Sequence, residues 1–484
     1  MQKKSTLFIT LCSLTTALLL NSAHADIEWS GVYRIEGNFL KNSELGSKGK
    51  ELTYGLHHLV LRPKIVAGDG LTIYGQFDIL NNKTYPNSQM GQVFGSGVRL
   101  SAASDTTSVG NSNSVSQTHA SDTVQVTQLY LTYSQEYGQL IMGRAPLHFG
   151  LGMTHNAGRG LFDHWYDTRD LVGFKFILGP MWFLPMLGKP SEGALNQNDD
   201  VNDFMLQFQY EIPDEDLELG FFAQNRRGGS QSSDAPTPAV ADPAGSVLGG
   251  AGATNTGGAN MKQYSFYALK DSSDLRFGIE ATFQSGESGV MTTSGDNVTW
   301  DAFGIAGELE YRPEASNWNW ALRAGTATGD DPTTDAKFEG FIFDRNYDVA
   351  MLMFNHPLGQ DDFLRTRLVT GAVRDANSNI ALADVEAVSN AFYISPSAKY
   401  RLSEHWTWNN SLTAGFLNTD PIINKSIGKD LGYEWDTSMS YSPRKGLTWV
   451  TQAGLLFPGS AWEGDAQYDS SFAFGLTTKA AISF

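Results

Sequence analysis

The sequence predicts an all-β chain, a transmembrane antiparallel up-and-down β-barrel of about eighteen strands, with sixteen as the alternative. Three observations predict it. Segment after segment alternates apolar and polar residues with a period of two, which sends the two sets to opposite faces of a strand. The connections between these segments alternate between short turns and long loops. The two ends agree: residues 1–25 read as an export leader, and the last segment alternates up to an aromatic residue, Phe484.

In the leader, Lys3 and Lys4 form a positive start, 7–20 an apolar run and Ala23-His24-Ala25 a small-x-small cleavage site. The only cysteine, Cys12, lies here behind Leu11, so a lipoprotein site is not indicated and the mature chain carries no thiol or disulfide. Removing the leader, with its two lysines and no acid, takes the formal charge from −18 to −20. An acidic chain is a poor match for nucleic acid, which selects a basic face. With 50 glycines, 12% aromatics and a mean hydropathy of −0.26, the chain suits many strands and turns. No later stretch approaches the roughly 20 apolar residues of a membrane helix.

The strands follow in order. Ile27, Trp29, Tyr33, Ile35 and Phe39 oppose Glu28, Arg34, Glu36 and Asn38; Leu71, Ile73, Phe77 and Ile79 oppose Thr72, Tyr74, Gln76 and Asp78. The same alternation recurs at 204–212, at 275–284 and at 431–440, where Leu431, Tyr433, Trp435 and Met439 oppose Glu434, Asp436 and Ser440. The final strand sets Phe472, Phe474 and Leu476 against Lys479. Short turns carrying Gly, Pro, Asp and Ser fall at Ala67–Gly70, Ser134–Gly138, Gly179–Pro180, Pro213–Asp216, Asp271–Asp274, Pro313–Asn317, Ser403–Trp406 and Ser442–Gly446. The longer connections are 81–122, 150–170, 227–261 and 329–389, the last long enough to hold two more strands. Eight short turns imply nine hairpins, with the short turns on the periplasmic side.

A soluble sandwich would bury the apolar face, whereas a membrane barrel turns it to lipid. Aromatics beside the short turns (Tyr311, Trp318 and Trp320; Tyr400, Trp406 and Trp408; Tyr441 and Trp449) favour the barrel, because amphipathic rings settle at the membrane–water boundary. Closure is then obligatory, since hydrocarbon offers no partner to an open edge. The lumen wall would carry Arg34, Glu36, Asp78, Arg276, Glu280, Glu308, Glu310, Arg323, Lys399, Arg401, Glu434 and Asp436. So many inward charges predict a water-filled lumen, and their acidic excess predicts a mild preference for cations.

The alternating last strand with its terminal Phe484 resembles the C-terminal signature of bacterial outer-membrane β-barrels, which the barrel-assembly machinery reads. The whole chain resembles Gram-negative porins. The stretch from Gly143-Arg144 to Phe162-Asp163 carries a narrower likeness to eighteen-stranded substrate-selective porins, including sugar- and alginate-export-type barrels. In porins the third long loop commonly folds into the lumen. The likeness therefore makes 150–170 an inward loop and Arg144, His148, His155, Arg159, Asp163, His164, Asp167, Arg169 and Asp170 candidates for a constriction. The alternative is an external loop held by its own Arg–Asp pairs. The resemblance also implies outer-membrane lipid and lipopolysaccharide as surroundings and small hydrophilic solutes as cargo. A homotrimer is common among porins, but no subunit face is marked here.

No metal or cofactor is expected: His148, His155 and His164 are spaced by seven and nine, which matches no compact ligand pattern, and the Asp doublets lack EF-hand spacing. The expected function is passive diffusion of small hydrophilic solutes or ions, with a sugar-selective porin as the alternative. A third reading is a closed-lumen adhesin or structural barrel working through 81–122 and 227–261. A barrel enzyme lacks a singled-out nucleophile.

Overall fold

The computed structural model describes residues 26–43, 45–46, 51–82, 90–93, 124–191, 201–228, 254–255, 258–291, 297–331, 334, 336–356, 358, 387–420, 428–464 and 470–484. The expected leader and most of the stretches 81–122 and 227–261, the would-be working parts of an adhesin, lie outside the described residues.

Eighteen strands form one closed antiparallel wall. They are β1 (Asp26–Lys41), β2 (Glu51–Gly68), β3 (Leu71–Ile79), β4 (Val124–Gln135), β5 (Gly138–Pro146) and β6 (Thr168–Leu178). Next come β7 (Met181–Ser191), β8 (Val201–Ile212), β9 (Leu217–Gly228), β10 (Asn260–Asp271), β11 (Leu275–Met291) and β12 (Asn297–Tyr311). The circuit ends with β13 (Trp318–Ala327), β14 (Ala391–Arg401), β15 (Trp406–Leu417), β16 (Asp430–Arg444), β17 (Leu447–Pro458) and β18 (Ala473–Ser483). Each pairs with its successor, and β18 pairs back onto β1 with Ile482 opposite Tyr33. Phe484 completes the seam: its N–H donates to the Gly31 carbonyl at 3.1 Å, and the Gly31 N–H donates to the Phe484 carbonyl at 2.9 Å. Every short turn predicted from the sequence joins a hairpin here. No strand of 329–389 comes between β13 and β14, which pair directly from Trp318–Tyr400 to Ala327–Ala391, and among its described residues the two-residue piece Lys337–Phe338 pairs in parallel with Thr299–Trp300 of β12. That excludes sixteen strands and any further pair.

The two faces sort as the alternation predicts. Ile27, Trp29, Phe283, Trp435, Leu476 and Phe484 are exposed on the outside, while Arg34, Glu36, Asp78, Glu280 and Glu434 are buried within. Trp318 stacks on Trp320, and Trp406 on Tyr441, with ring centroids 5.5 and 4.4 Å apart beside the short turns. One position departs. Leu431, expected to face lipid, is 2% exposed and lies inside. Pairing of β15 with β16 skips it, because a bulge shifts the register between Gly415–Gly432 and Phe416–Asp430. Gly432 permits the bulge: its φ is +104°, and a Cβ there would lie 2.0 Å from the Phe457 carbonyl oxygen.

The interior is not the uniformly water-filled lumen expected from the wall charges. Residues 147–167, between β5 and β6, and 338–356, between β13 and β14, lie inside the wall and bring apolar side chains with them. Leu147 and Phe149 pack with Met186, Met205, Phe222 and Tyr267. Phe338, Phe341, Phe343, Leu352, Met353 and Phe354 pack with Trp300, Tyr393, Leu417, Leu431 and Leu456. Hydrophobic burial thus holds a core inside a barrel whose outer face is also apolar.

Candidate functional site

The site is built from the two inward loops and the wall that holds them. Residues 147–167 form the third loop in chain order. Its first turn is clamped by Glu280 on β11. One carboxylate oxygen accepts from the Leu151 N–H at 2.7 Å and the Met153 N–H at 3.2 Å, the other from Thr154 Oγ1 at 3.0 Å and the Thr154 N–H at 3.2 Å. Gly150 makes the approach possible, since with φ +56° a Cβ there would sit 2.7 Å from the Glu280 carboxylate. Deeper in the loop, His155 Nδ1 lies 2.5 Å from Asp167, and the other ring nitrogen lies 3.2 Å from the Gln263 amide of β10. Arg169 reaches Asp203 of β8 at 3.1 Å, and Arg226 of β9 grips the same carboxylate through two bonds of 2.9 Å.

The far end of the loop meets β1. Arg34 donates to the Asp163 carbonyl oxygen, and its guanidinium lies 3.2 Å from His164 Nδ1 and 2.8 Å from His58 Nδ1. His164 Nε2 lies 3.2 Å from Glu36, and His58 Nε2 lies 2.9 Å from Asp78, to which Thr127 also donates. These groups tie β1, β2, β3, β4 and the third loop together. Burial pushes the His164 imidazole below its usual range and the Asp163 carboxyl above its own.

The 338–356 segment belongs to the seventh loop in chain order and is clamped by the same device. Glu434 on β16 accepts from the Leu352 and Met353 N–H groups, each at 2.6 Å, and Asp436 accepts from the Met351 N–H at 3.1 Å. The loops also bond to each other. The Asp344 N–H donates to the Met153 carbonyl at 2.7 Å, Asn346 bonds both ways with the Trp165 main chain, and the Arg345 guanidinium lies 4.1 Å from the centre of the Trp165 indole.

Among the described residues, two polar cavities border these loops. One, of about 350 Å³, is bounded by the lower wall of β11 to β18 and carries Arg276, Arg323, Lys399 and Lys479 facing Glu308, Glu310, Asp348 and Asp436. The other, of about 60 Å³, lies between β1, β2 and the two loops and is lined by Glu36, Tyr54, Phe162, His164, Trp165, Arg345 and His356 among others. Both are lined by Asp348, Asn355, Gln452 and Lys479, so these four residues form the neck between them. Asp348 touches solvent but lies deep in the barrel, where protein displaces bulk water and pushes its carboxyl up to about 6.

The chain folds as a membrane-spanning β-barrel. A closed wall of eighteen strands, an apolar outer face, aromatic rings beside short turns and longer connections at the other end carry that statement. No protein-family model and no curated protein matches the chain. Among solved structures it is similar to OccK9 (OpdG) of Pseudomonas aeruginosa, at 11% identity and a TM-score of 0.49, over 94% of this chain and 98% of that one. It is similar to OccK2 (OpdF) of the same organism, solved in complex with glucuronate, at 11% identity and 0.48, over 95% and 98%. OpdK with vanillate gives 12% and 0.46, over 94% and 99%. The fold rests on the strand pairing above and not on these likenesses.

The structure divides the nine loop residues singled out in the sequence. Asp163 and His164 border the smaller cavity. His155, Asp167 and Arg169 are fastened to the wall and to one another. His148 is half-buried, its carbonyl accepting from Gln207 at 3.2 Å, and burial lowers its imidazole to about 4. Arg159 is exposed and lines neither cavity. Arg144 and Asp170 are corrected outright. They pair through two bonds of 2.7 Å on the outer face, two residues along from exposed Met142 and Val172, because strand alternation carries them outward.

The wall list keeps its inward direction but not its uniform exposure to water. Glu280, Glu434 and Asp436 accept from loop backbone, and Glu36 and Asp78 sit in the buried network. Arg276, Glu308, Glu310, Arg323 and Lys399 line the larger cavity, and Arg401 ends β14 on the same alternation as Lys399. Sequence reasoning missed Asp348, Asn355, Gln452 and Lys479 as a group. The signal available was the run Val349-Ala-Met-Leu-Met-Phe354, which is apolar without alternation inside a stretch otherwise read as external loop. Among the described residues no group of three or more His, Cys, Asp or Glu is placed to hold a metal ion.

Proposed function

We propose that this barrel is a channel for passive diffusion of small hydrophilic solutes, narrowed where its third and seventh loops meet. The observation that carries the reading is the neck of Asp348, Asn355, Gln452 and Lys479 shared by two polar cavities inside one closed wall. One carboxylate, one ammonium and two carboxamides offer donors and acceptors in near balance of charge. Such a neck suits hydroxyl-bearing or zwitterionic solutes, which exchange water for fixed polar partners as they pass. The mild cation preference expected from the wall acids weakens in this reading, because several of those carboxylates are occupied by loop N–H groups and the larger cavity carries as many cations as anions.

Phe162, Trp165 and Tyr54 beside the amides of Asn38 and Asn355 favour a second, narrower reading as a sugar-selective channel, since aromatic faces and amides together match the two kinds of surface on a sugar ring. Planar-bilayer recording of purified protein tests both. Absence of conducting steps sinks the channel. Partial, concentration-dependent block by neutral oligosaccharides supports the sugar reading, and no block removes it. Deleting residues 155–168 should raise unit conductance, and an unchanged value would place that loop off the path.

A further inference from the structure

One inward row of the wall runs from the short-turn end of the barrel to the long-loop end, past the neck. Asn319 of β13 stands opposite Lys399 of β14, and Lys399 opposite Asn409 of β15. Asn409 faces Ser438 of β16, Ser438 faces Gln452 of β17, Gln452 faces Thr477 of β18, and Thr477 faces Asn38 of β1. Asn319 lies beside the short turn Pro313–Asn317, whereas Asn38 lies near the upper end of β1. A register row climbs in this way because the strands of a closed barrel are tilted. Asn319, Lys399, Asn409 and Gln452 line the larger cavity, and Gln452, Thr477 and Asn38 line the smaller. The row therefore links the two cavities through Gln452 of the neck.

Apart from Lys399 the row consists of carboxamides and hydroxyls. Among the described residues the side chains of Asn319, Asn409, Ser438 and Gln452 make no hydrogen bond. Elsewhere on the inner face such groups hold one another: Gln263 and Gln284 at 2.9 Å, Ser265 and Thr282 at 2.8 Å, Ser395 and Thr413 at 2.8 Å. Charges next to the row are engaged as well, Glu308 by Arg276 at 3.0 Å and by Arg323 at 3.5 Å, and Asp436 by the Met351 N–H at 3.1 Å. The seventh loop covers the row from above. Gly454 and Gly475 stand one inward position higher than Gln452 and Thr477, and a Cβ on them would lie 3.1 Å from the Met351 sulfur and 2.8 Å from the Leu352 side chain. We propose that this row binds an uncharged, linear oligosaccharide and passes it beneath the seventh loop from one cavity to the other. Each carboxamide both donates and accepts, as a sugar hydroxyl does. Neighbouring rungs are roughly 4.8 Å apart, close to the length of one sugar ring, and the six steps span about 29 Å. A chain with a carboxylate on every ring would meet a single basic rung, Lys399, and would lose water at the others without gaining a cation. The inference rests on the sugar reading above and names the charge class of that solute and the residues that select it.

The test uses the full barrel, titrated in detergent micelles by calorimetry and recorded in planar bilayers, with two probes of the same length: neutral maltohexaose, and hexagalacturonate, which carries a carboxylate on each ring. Maltohexaose should bind and block the current, and hexagalacturonate should bind more weakly. Asn409→Ala, Ser438→Ala and Gln452→Ala together should weaken maltohexaose binding on the order of a hundredfold, at about fivefold per lost hydrogen bond. Gln209→Ala, on β8 away from both cavities, should leave it unchanged. Heat-modifiable gel migration reports that the variant barrel is intact, and if the triple variant fails to fold, Asn409→Ala alone should still show about a fivefold loss. Hexagalacturonate bound as tightly as maltohexaose, or an equal loss in Gln209→Ala, would overturn the proposal. Block by maltohexaose that persists undiminished in the triple variant would keep the sugar reading and overturn the row. Maltohexaose binding that the triple variant loses, in a barrel without conducting steps, would sink the channel and leave the row standing as a binding site.

Discussion

Asn346 joins the two inward loops: its side-chain oxygen accepts from the Trp165 N–H at 3.2 Å, and its amide donates to the Trp165 carbonyl at 2.8 Å. One side chain thereby satisfies both main-chain groups of a residue in the middle of the barrel. Asn346→Ala removes both bonds, each contributing about 1 kcal/mol. We expect current traces with more open-state noise and a larger mean conductance, while the barrel still migrates as folded on an unheated gel. Noise identical to wild type would show that the loops do not depend on this contact.

Glu434 is the clamp of the seventh loop. Glu434→Leu leaves the N–H groups of Leu352 and Met353 without their acceptor, at a cost of about 1–3 kcal/mol each. The wall does not depend on that side chain, so global thermal unfolding should change little. Hydrogen exchange at 349–355 should accelerate by at least tenfold, and unchanged protection there would contradict the assignment.

Asp348 makes the neck sensitive to pH. Its carboxyl is raised from the ordinary value to about 6, so it is ionised at pH 7.5 and mostly neutral at pH 5. Falling pH therefore removes the negative charge of the neck. Reversal potentials in a salt gradient should move toward anions between pH 7.5 and 5, and Asp348→Asn should abolish the movement. A shift that persists in Asp348→Asn would assign it to another group.

Lys479 forms no ion pair among the described residues, and the centre of the Phe162 ring lies 5.7 Å from its ammonium nitrogen. Lys479→Glu would place two carboxylates at the neck. The cation-to-anion permeability ratio should rise roughly three- to tenfold, as expected for a charge placed in a narrow low-dielectric passage. An unaltered ratio would place the neck off the conducting path.

The wall was legible residue by residue. Turn chemistry at Gly179–Pro180 or Ser442–Gly446 is local, and alternation along Ile27–Phe39 is a property of one strand, so neither needs the rest of the chain to be recognised. The interior was legible only in part. The stretch from Gly143-Arg144 to Phe162-Asp163 stood out in the sequence, yet which of its charges face solvent depends on Glu280, more than a hundred residues away. Arg144 and Asp170 show the limit: they are charged and next to the loop, but alternation from Met142 and Val172 turns them to the outside. The bulge at Gly432 reversed Leu431 for the same reason, since an unpaired residue resets the period of two.

The sequence by itself determined a closed barrel and the face to which most wall residues point, because backbone pairing in a membrane has no alternative to closure and side-chain direction follows a fixed period, while the choice of eighteen strands over sixteen waited on the pairing of β13 with β14. Only the tertiary structure decided what fills the barrel. The same carboxylate on an inner face can meet water or a loop N–H, and Glu280 and Glu434 meet the latter because segments distant in sequence fold back onto them. The neck of Asp348, Asn355, Gln452 and Lys479 exists in no stretch of sequence; it forms where one loop and two strands converge.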